Sequence, residues 1–296
     1  MKKDLLRLLD IKPQQIATIL SRAAAFKKAR KQGKNLTPLK GKSVAMIFEK
    51  PSTRTKVSFD IALYELGGHS VSLDSSSSQL GRGETYFDTG RVLSRYVHGI
   101  VMRTFGQERL EELSRGATIP VINALSDLSH PCQILTDLFT IQEAKGKSSK
   151  LVVCYIGDGN NMANTWVEAS TLLGFELRVA TPKGYEPAIK GGTQRNISFT
   201  NDPIEALRGA DVVNTDTWFS MGQEVSSEKK NAFLPFQVSR SLMKQAEKDA
   251  IVLHCLPAQR GEEITNDVMD GPQSRVWDQA ENRLHVQKSI LEMFIK

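Results

Sequence analysis

The 296-residue chain is 40% hydrophobic, enough to fill one large or two medium α/β cores, and this composition excludes intrinsic disorder. Lys and Arg exceed Asp and Glu by 39 to 33, a formal charge of +6, but the excess is diffuse and no aromatic and basic interleaving marks a nucleic-acid surface. No apolar run approaches a membrane span, and Cys132, Cys154 and Cys255 lie too far apart for a disulfide framework or a structural zinc site, a pattern that fits a reducing cytoplasm.

A first helix is expected from Pro13, ending in the basic run Lys27 to Lys31. The apolar, β-prone run Ser43 to Phe48 leads into Ser52-Thr53-Arg54-Thr55, and helical spacing follows from Val57 to Leu66 before Gly67-Gly68. Three hydroxyls and a guanidinium therefore fall at a helix N-terminus, where unpaired N–H groups and the helix dipole favour an anion. The stretch Ser75 to Glu84, with Gln79 and Arg82, reads as a loop suited to closing over such an anion. Arg103 ends the strand predicted from Gly99, which places its charge at the carboxyl edge of a parallel sheet. After a strand from Ile119 to Ala124, His130-Pro131-Cys132-Gln133 opens a helix and sets an imidazole and an amide at its start.

Lys145 to Lys150 is polar and reads as the linker to a second half. There, Leu151 to Ile156 is strand-like and runs into Gly157-Asp158-Gly159-Asn160-Asn161. This is no dinucleotide fingerprint, because Met162 stands where the third glycine belongs; Leu36 and Ile141 likewise exclude P-loops before Gly41-Lys42-Ser43 and Gly146-Lys147-Ser148. Asn161 offers an amide to a zwitterionic ligand. Strands are further expected at Glu176 to Ala180, Asp211 to Asn214 and Ile251 to Cys255. Asp216 then precedes Ser220-Met221-Gly222, and His254-Cys255-Leu256-Pro257 places a thiol at a strand end. A closing amphipathic helix from Glu281 carries Arg283 near its start. The alternation of segments predicts an α/β fold with parallel sheets. No HExxH or paired-His spacing points to a metal.

Taken together, and in this order, the motifs resemble those of the aspartate/ornithine carbamoyltransferase family over essentially the whole chain. Ser52-Thr53-Arg54-Thr55 and His130-Pro131-Cys132-Gln133 look like its two carbamoyl phosphate signatures. Asp216 with Ser220-Met221-Gly222, and His254-Cys255-Leu256-Pro257, resemble the ornithine branch rather than the aspartate branch. The resemblance implies two domains, each with a central parallel sheet flanked by helices: residues 1–140 for carbamoyl phosphate and 141–276 for ornithine, with the helix 277–296 packing back on the first. It assigns carbamoyl phosphate to Ser52, Thr53, Arg54, Thr55, Gln79, Arg103, His130, Gln133, Cys255, Leu256 and Arg283. It assigns ornithine to Asn161, Asp216, Ser220 and Met221, and chemistry to Arg54, Arg103, His130 and Cys255. No cofactor and no metal is expected. A cytoplasmic homotrimer, or a multiple of trimers, is expected, with Gln79 reaching a neighbouring subunit's site. The rival readings are a sibling transferase acting on putrescine or an acylated ornithine, a binding protein that has lost the chemistry, and a Rossmann dehydrogenase.

Overall fold

All strand pairs among the described residues are parallel, as the alternation of apolar runs and helical segments predicts. The structure is a computed structural model that describes residues 3–34, 36–74, 83–146, 150–190, 195–220, 222 and 224–295. The chain forms two units, one of residues 1–139 with 281–296 and one of residues 140–280.

In the first unit, β1 (Ser43–Phe48), β2 (His69–Asp74), β3 (Gly99–Arg103) and β4 (Val121–Leu125) lie in the order β2-β1-β3-β4. The helices are α1 (Pro13–Lys31), α2 (Thr53–Glu65), α3 (Tyr86–Leu93), α4 (Gln107–Gly116) and the first turns of α5 (Pro131–Lys145). The central strands β1 and β3 are buried almost throughout, which is why they read as continuous apolar runs. Ala45, Ile47, Ile100, Met102, Leu110 and Leu113 pack one face of the core. Helices α3 and α4 approach closely because both carry glycine at the crossing. A Cβ on Gly116 would fall 2.0 Å from the Phe87 carbonyl oxygen, and one on Gly90 would fall 2.5 Å from that of Leu113.

The second unit holds β5 (Val152–Ile156), α6 (Asn161–Leu173), β6 (Glu176–Ala180), β7 (Ile197–Thr200), α7 (Pro203–Leu207) and β8 (Val212–Thr215). There follow α8 (Ser227–Phe233), α9 (Arg240–Met243), β9 (Ile251–His254) and α10 (Asn266–Met269). Its sheet order is β7-β6-β5-β8-β9. Cys154, Ile156, Val213, Val252, Phe236 and Leu242 belong to its core.

Two strands were not expected from sequence. Both β2 and β7 are edge strands, and their mixed sequences, His-Ser-Val-Ser-Leu-Asp and Ile-Ser-Phe-Thr, lack the apolar run of a strand buried on both faces.

The last helix, α11 (Val276–Phe294), starts before Glu281, so Arg283 stands two turns inside it rather than near its start. From Glu281 onward it belongs to the first unit, and its seat there is charged. Glu292 takes both a 2.5 Å and a 2.6 Å hydrogen bond from Arg22, and Asn282 accepts from Lys27 at 2.8 Å. Glu65 at the end of α2 pairs with buried Lys288 of α11 and with Arg30 of α1, joining three helices through one carboxylate. Burial opposes ionisation of Glu65, but the hydrogen bonds and charges of Lys288 and Arg30 outweigh it and hold its carboxyl below the usual range.

Glu65→Gln should cost about 3 kcal/mol at neutral pH, because it leaves the Lys288 ammonium buried without its counter-charge. A carboxyl depressed in the folded state stabilises above its unfolded pKa, about 4.3, and that contribution is lost as the pH falls through the lower folded value. Urea unfolding of both proteins should therefore show a difference at pH 7 that closes in acid. A difference independent of pH would assign the effect to packing.

Candidate active site

The first unit gathers its candidate residues at the carboxyl ends of β1 and β3. Phe48 and Arg103 are register partners at the end of that strand pair, and the ladder with β4 shifts register between Met102 and Arg103, a local irregularity of the sort that re-aims a side chain. Ser52 is the N-cap of α2 with extended backbone, yet its side chain makes no capping hydrogen bond. A serine there usually spends its oxygen on the N–H groups of the first turn; here it does not. Arg54, in the first turn, is partly exposed and makes no ion pair with the described residues.

Thr55 is buried, and its Oγ accepts from two guanidinium groups, Arg103 of β3 at 3.5 Å and Arg283 of α11. Both arginines are themselves buried. His130 is buried at the entrance to α5, and its pKa is pushed well below the ordinary 6.5, first by burial and then by the charges of Arg283 and Arg103. It is thus a neutral imidazole at physiological pH. Gln133, on the next turn and fully buried, donates from Nε2 to Asp137 at 2.8 Å, while its Oε1 has no partner among the described residues. That oxygen is an acceptor suited to an amide N–H. Between them Cys132 is buried against the Asn123 carbonyl at 3.3 Å, and burial raises its pKa to about 12, so this thiol is structural.

In the second unit the candidates gather after β5, β8 and β9. Asp216, buried just past β8, is held from three sides. Its Oδ2 accepts from Asn160 Nδ2 at 2.8 Å, and its Oδ1 accepts from the Thr217 N–H at 2.8 Å and from the Cys255 thiol at 3.0 Å. Asn160 was missed by sequence reasoning, which selected Asn161 next to it. It caps α6 with its Oδ1, bonded by the Met162 N–H at 2.8 Å, and so fixes Asn161 in the first helical turn while its amide orients Asp216. The signal available was its place as the last polar residue before the helix. The glycines ahead of it serve the chain rather than a pyrophosphate: a Cβ on Gly159 would lie 2.3 Å from Pro187 N.

Leu256 has φ 61°, the only positive value at a non-glycine among the described residues, and it directly follows Cys255. Its N–H donates to His254 Nδ1 at 2.9 Å, and the far side of that ring lies 3.0 Å from buried Glu263. The ligand atoms of Asp216, His254 and Cys255 lie within 4.8 Å of one another, as a metal site would require. His254 Nδ1 already accepts from Leu256, however, which leaves Nε2 to carry the proton towards Glu263, so the ring has no lone pair to offer. Lys229 of α8 pairs with Asp158 at 3.0 Å and stands 5.2 to 5.4 Å from the rings of Tyr185, Phe219 and Phe233. These contacts tie the start of α8 to the loop after β5. Gln79 and Met221 lie outside the described residues.

The amino-terminal part of the chain, residues 3–143, matches the family profile described as the aspartate/ornithine carbamoyltransferase carbamoyl-P binding domain, and residues 149–294 match the Asp/Orn binding domain of the same family. The chain is 51% identical to the ornithine carbamoyltransferase of Syntrophus aciditrophicus, with both chains covered in full, and 52% identical to that of Anoxybacillus flavithermus, covering 98% of this chain and 95% of that one. Among solved structures, ornithine carbamoyltransferase from Pyrococcus furiosus superposes with a TM-score of 0.94 at 50% identity, covering 99% of this chain and 96% of the other. The anabolic ornithine carbamoyltransferase of Campylobacter jejuni gives 0.92 at 41%, covering 99% of each.

A histidine whose folded pKa is lowered charges more readily in the unfolded chain, so His130 should weaken folding as the pH drops below about 6.5. Its ring nitrogens, followed by NMR in protein labelled at histidine, should keep the neutral signature at pH 5.5. A titration midpoint near 6.5 would contradict the burial argued here.

Proposed function

Since this chain belongs to the aspartate/ornithine carbamoyltransferase family, we propose that it transfers the carbamoyl group of carbamoyl phosphate to the δ-amino group of L-ornithine, giving L-citrulline and phosphate. The observation that carries this reading is the meeting of Arg103 and Arg283 on Thr55, one turn from the uncapped start of α2. Fixed cations and free helix-terminal donors make a site for a compact dianion.

Ser52, Thr53, Arg54 and Thr55 hold the phosphate. Arg103 and neutral His130 face the carbonyl oxygen, on which negative charge grows in the tetrahedral intermediate, and Gln133 accepts from the carbamoyl amide. Arg283 adds charge from α11. In the second unit Asn161, Asp216, Ser220 and Met221 bind the α-amino and carboxylate groups of ornithine. The amine nitrogen attacks the carbonyl carbon, the bond from that carbon to the phosphate oxygen breaks with its electron pair leaving on phosphate, and the departing phosphate takes up the proton that the nitrogen loses. Cys255, whose proton is directed to Asp216, orients the δ-nitrogen together with the Leu256 carbonyl; it forms no covalent intermediate, because the amine attacks directly. No cofactor takes part.

The direction we assign is the biosynthetic one, towards arginine, and the place of work is the cytoplasm, where three free thiols stay reduced. The assembly is a homotrimer or a multiple of trimers. Val57, Ile61 and Tyr64 form an exposed apolar stripe at helical spacing on α2, beside exposed Val71 on the edge strand β2, and we assign this face to the subunit contact.

Given carbamoyl phosphate, the protein should form a ureido product from ornithine and none from putrescine, N-acetylornithine or aspartate; product from another amine would reassign the acceptor. Arg54→Ala should lower kcat by about 10²–10³, the loss typical of one oxyanion donor, and a near-normal kcat would remove its role. Asp216→Ala should raise the KM for ornithine and leave that for carbamoyl phosphate in place. Ile61→Asp should dissociate the assembly in light scattering and abolish turnover; an active monomer would refute dependence on assembly.

A further inference from the structure

The carboxylate of Glu49 sits one residue past β1 and three before Ser52, with its side chain 7% exposed, and the transfer chemistry makes no use of it. Three donors from three elements converge on it. Tyr86, the first residue of α3, donates its hydroxyl to Oε1 at 2.5 Å. The Thr104 hydroxyl, just past β3, donates to Oε2, and so does Arg109 of α4 at 3.0 Å. The Glu49 N–H adds a 3.0 Å bond to the carbonyl of Arg103. Its neighbour Lys50, also buried, pairs with Asp127 and lies 4.4 Å from the centre of the Phe105 ring. The two residues that lead into the cradle are thus clamped to the strand end that carries Arg103.

We propose that Glu49 is a positioning residue for the phosphate cradle: held by Tyr86, Thr104 and Arg109, it sets the distance between the first turn of α2 and Arg103. A cradle of hydroxyls, N–H groups and a guanidinium recognises a tetrahedral anion only when its halves keep their spacing, and a displacement of about 1 Å is enough to forfeit much of the gain. Glu49 provides that spacing because it is tied to both sides, through its own chain to β1 and through Thr104 to β3. Arg109 supplies the counter-charge to the buried carboxylate at 3.0 Å and lies 5.8 Å from the ring of Tyr86 and 5.7 Å from that of Phe105. Burial, the hydrogen bond to Glu49 and the charge of Glu49 together raise the Tyr86 pKa to about 12, so its hydroxyl stays a donor at every working pH.

The inference rests on the carbamoyl phosphate reading of the cradle, and the test separates the two. Calorimetric titration of the full-length assembly with carbamoyl phosphate and with inorganic phosphate is paired with the KM values of both substrates. Glu49→Gln replaces one acceptor oxygen by an N–H₂ group facing Thr104 and Arg109; it should weaken both anions about tenfold and raise the KM of carbamoyl phosphate while that of ornithine stays within about twofold. Tyr86→Phe should weaken the anions severalfold alone and add nothing in the Glu49→Gln background, since it acts through that carboxylate. Glu49→Asp, which keeps the charge, should be intermediate. If Glu49→Gln fails to fold, Tyr86→Phe and Arg109→Ala carry the same comparison. Unchanged anion affinity in folded variants, equal loss for ornithine, or full additivity of Tyr86→Phe with Glu49→Gln would overturn the inference. A wild-type protein that binds phosphate but not carbamoyl phosphate would overturn the functional reading and leave the positioning role standing; one that binds neither would overturn both.

Discussion

Two guanidinium groups on one buried hydroxyl form the constraint around which the first unit is arranged. Arg103 and Arg283 both donate to Thr55, and like charges brought together away from water repel each other strongly. The scaffold has to hold them there. Arg103 is set by its strand, by the register shift beside it and by the backbone bond from Glu49. Arg283 is set by α11, whose own ion pairs with α1 and α2 lie one to three turns away at Lys288 and Glu292. Burial above all holds His130 neutral, and the same field adds to it, because an imidazolium would be a third cation in the cluster. A dianion bound between them would offset part of this repulsion, which is why the arrangement suits the phosphate assigned to it by the proposed function.

Topology explains where each set of residues lies. In the first sheet β1 is followed in sequence by β2 on one side and later by β3 on the other, so the crossover direction reverses between β1 and β3. In the second sheet it reverses between β5 and β8. At such a switch point the loops leaving two adjacent strands turn apart and open a crevice at their carboxyl ends. Ser52 and Arg103 follow or end the first pair of strands; Asn160 and Asp216 follow the second. One rule of chain winding therefore accounts for the placing of both groups, and the sheets need no further specialisation to host different ligands.

Much of this was legible in the sequence, for physical reasons. Strands buried on both faces must be apolar without interruption, so β1, β3, β5 and β9 stood out, and the residues just past them were the natural candidates. The mixed sequences of β2 and β7, which carry polar residues between the apolar ones, hid those two. Periodicity alone placed the start of α11 too late, at Glu281, because Val276 to Ala280 has helix-compatible residues but no distinctive cap; the bounds 277–296 implied by the family resemblance come within one residue of the observed start. Residues that act through others were the hardest to see. Asn160 and Glu49 touch neither ligand by the roles assigned, and their importance lies in partners 56 to 60 residues away in sequence, Asp216 for the one and Arg109 for the other. Short-range pattern carries no trace of such pairs.

The acceptor side faces a problem opposite to that of the cradle. An alkyl ammonium with a pKa near 10.4 must give up its proton to become a nucleophile, and a bare carboxylate nearby would hold that proton on. Asp216 is not bare. Asn160, the Thr217 N–H and the Cys255 thiol each spend a hydrogen bond on it, which spreads its charge over three donors and lowers its pull on the amine. The thiol in turn keeps its proton pointed at the carboxylate and its sulfur lone pairs turned away from it. A cysteine so placed can steer an amine without competing with it, which a free thiolate, itself a strong nucleophile, could not do. The cradle concentrates charge and the acceptor group disperses it; each does so because of the protonation state its substrate must have when the bond forms.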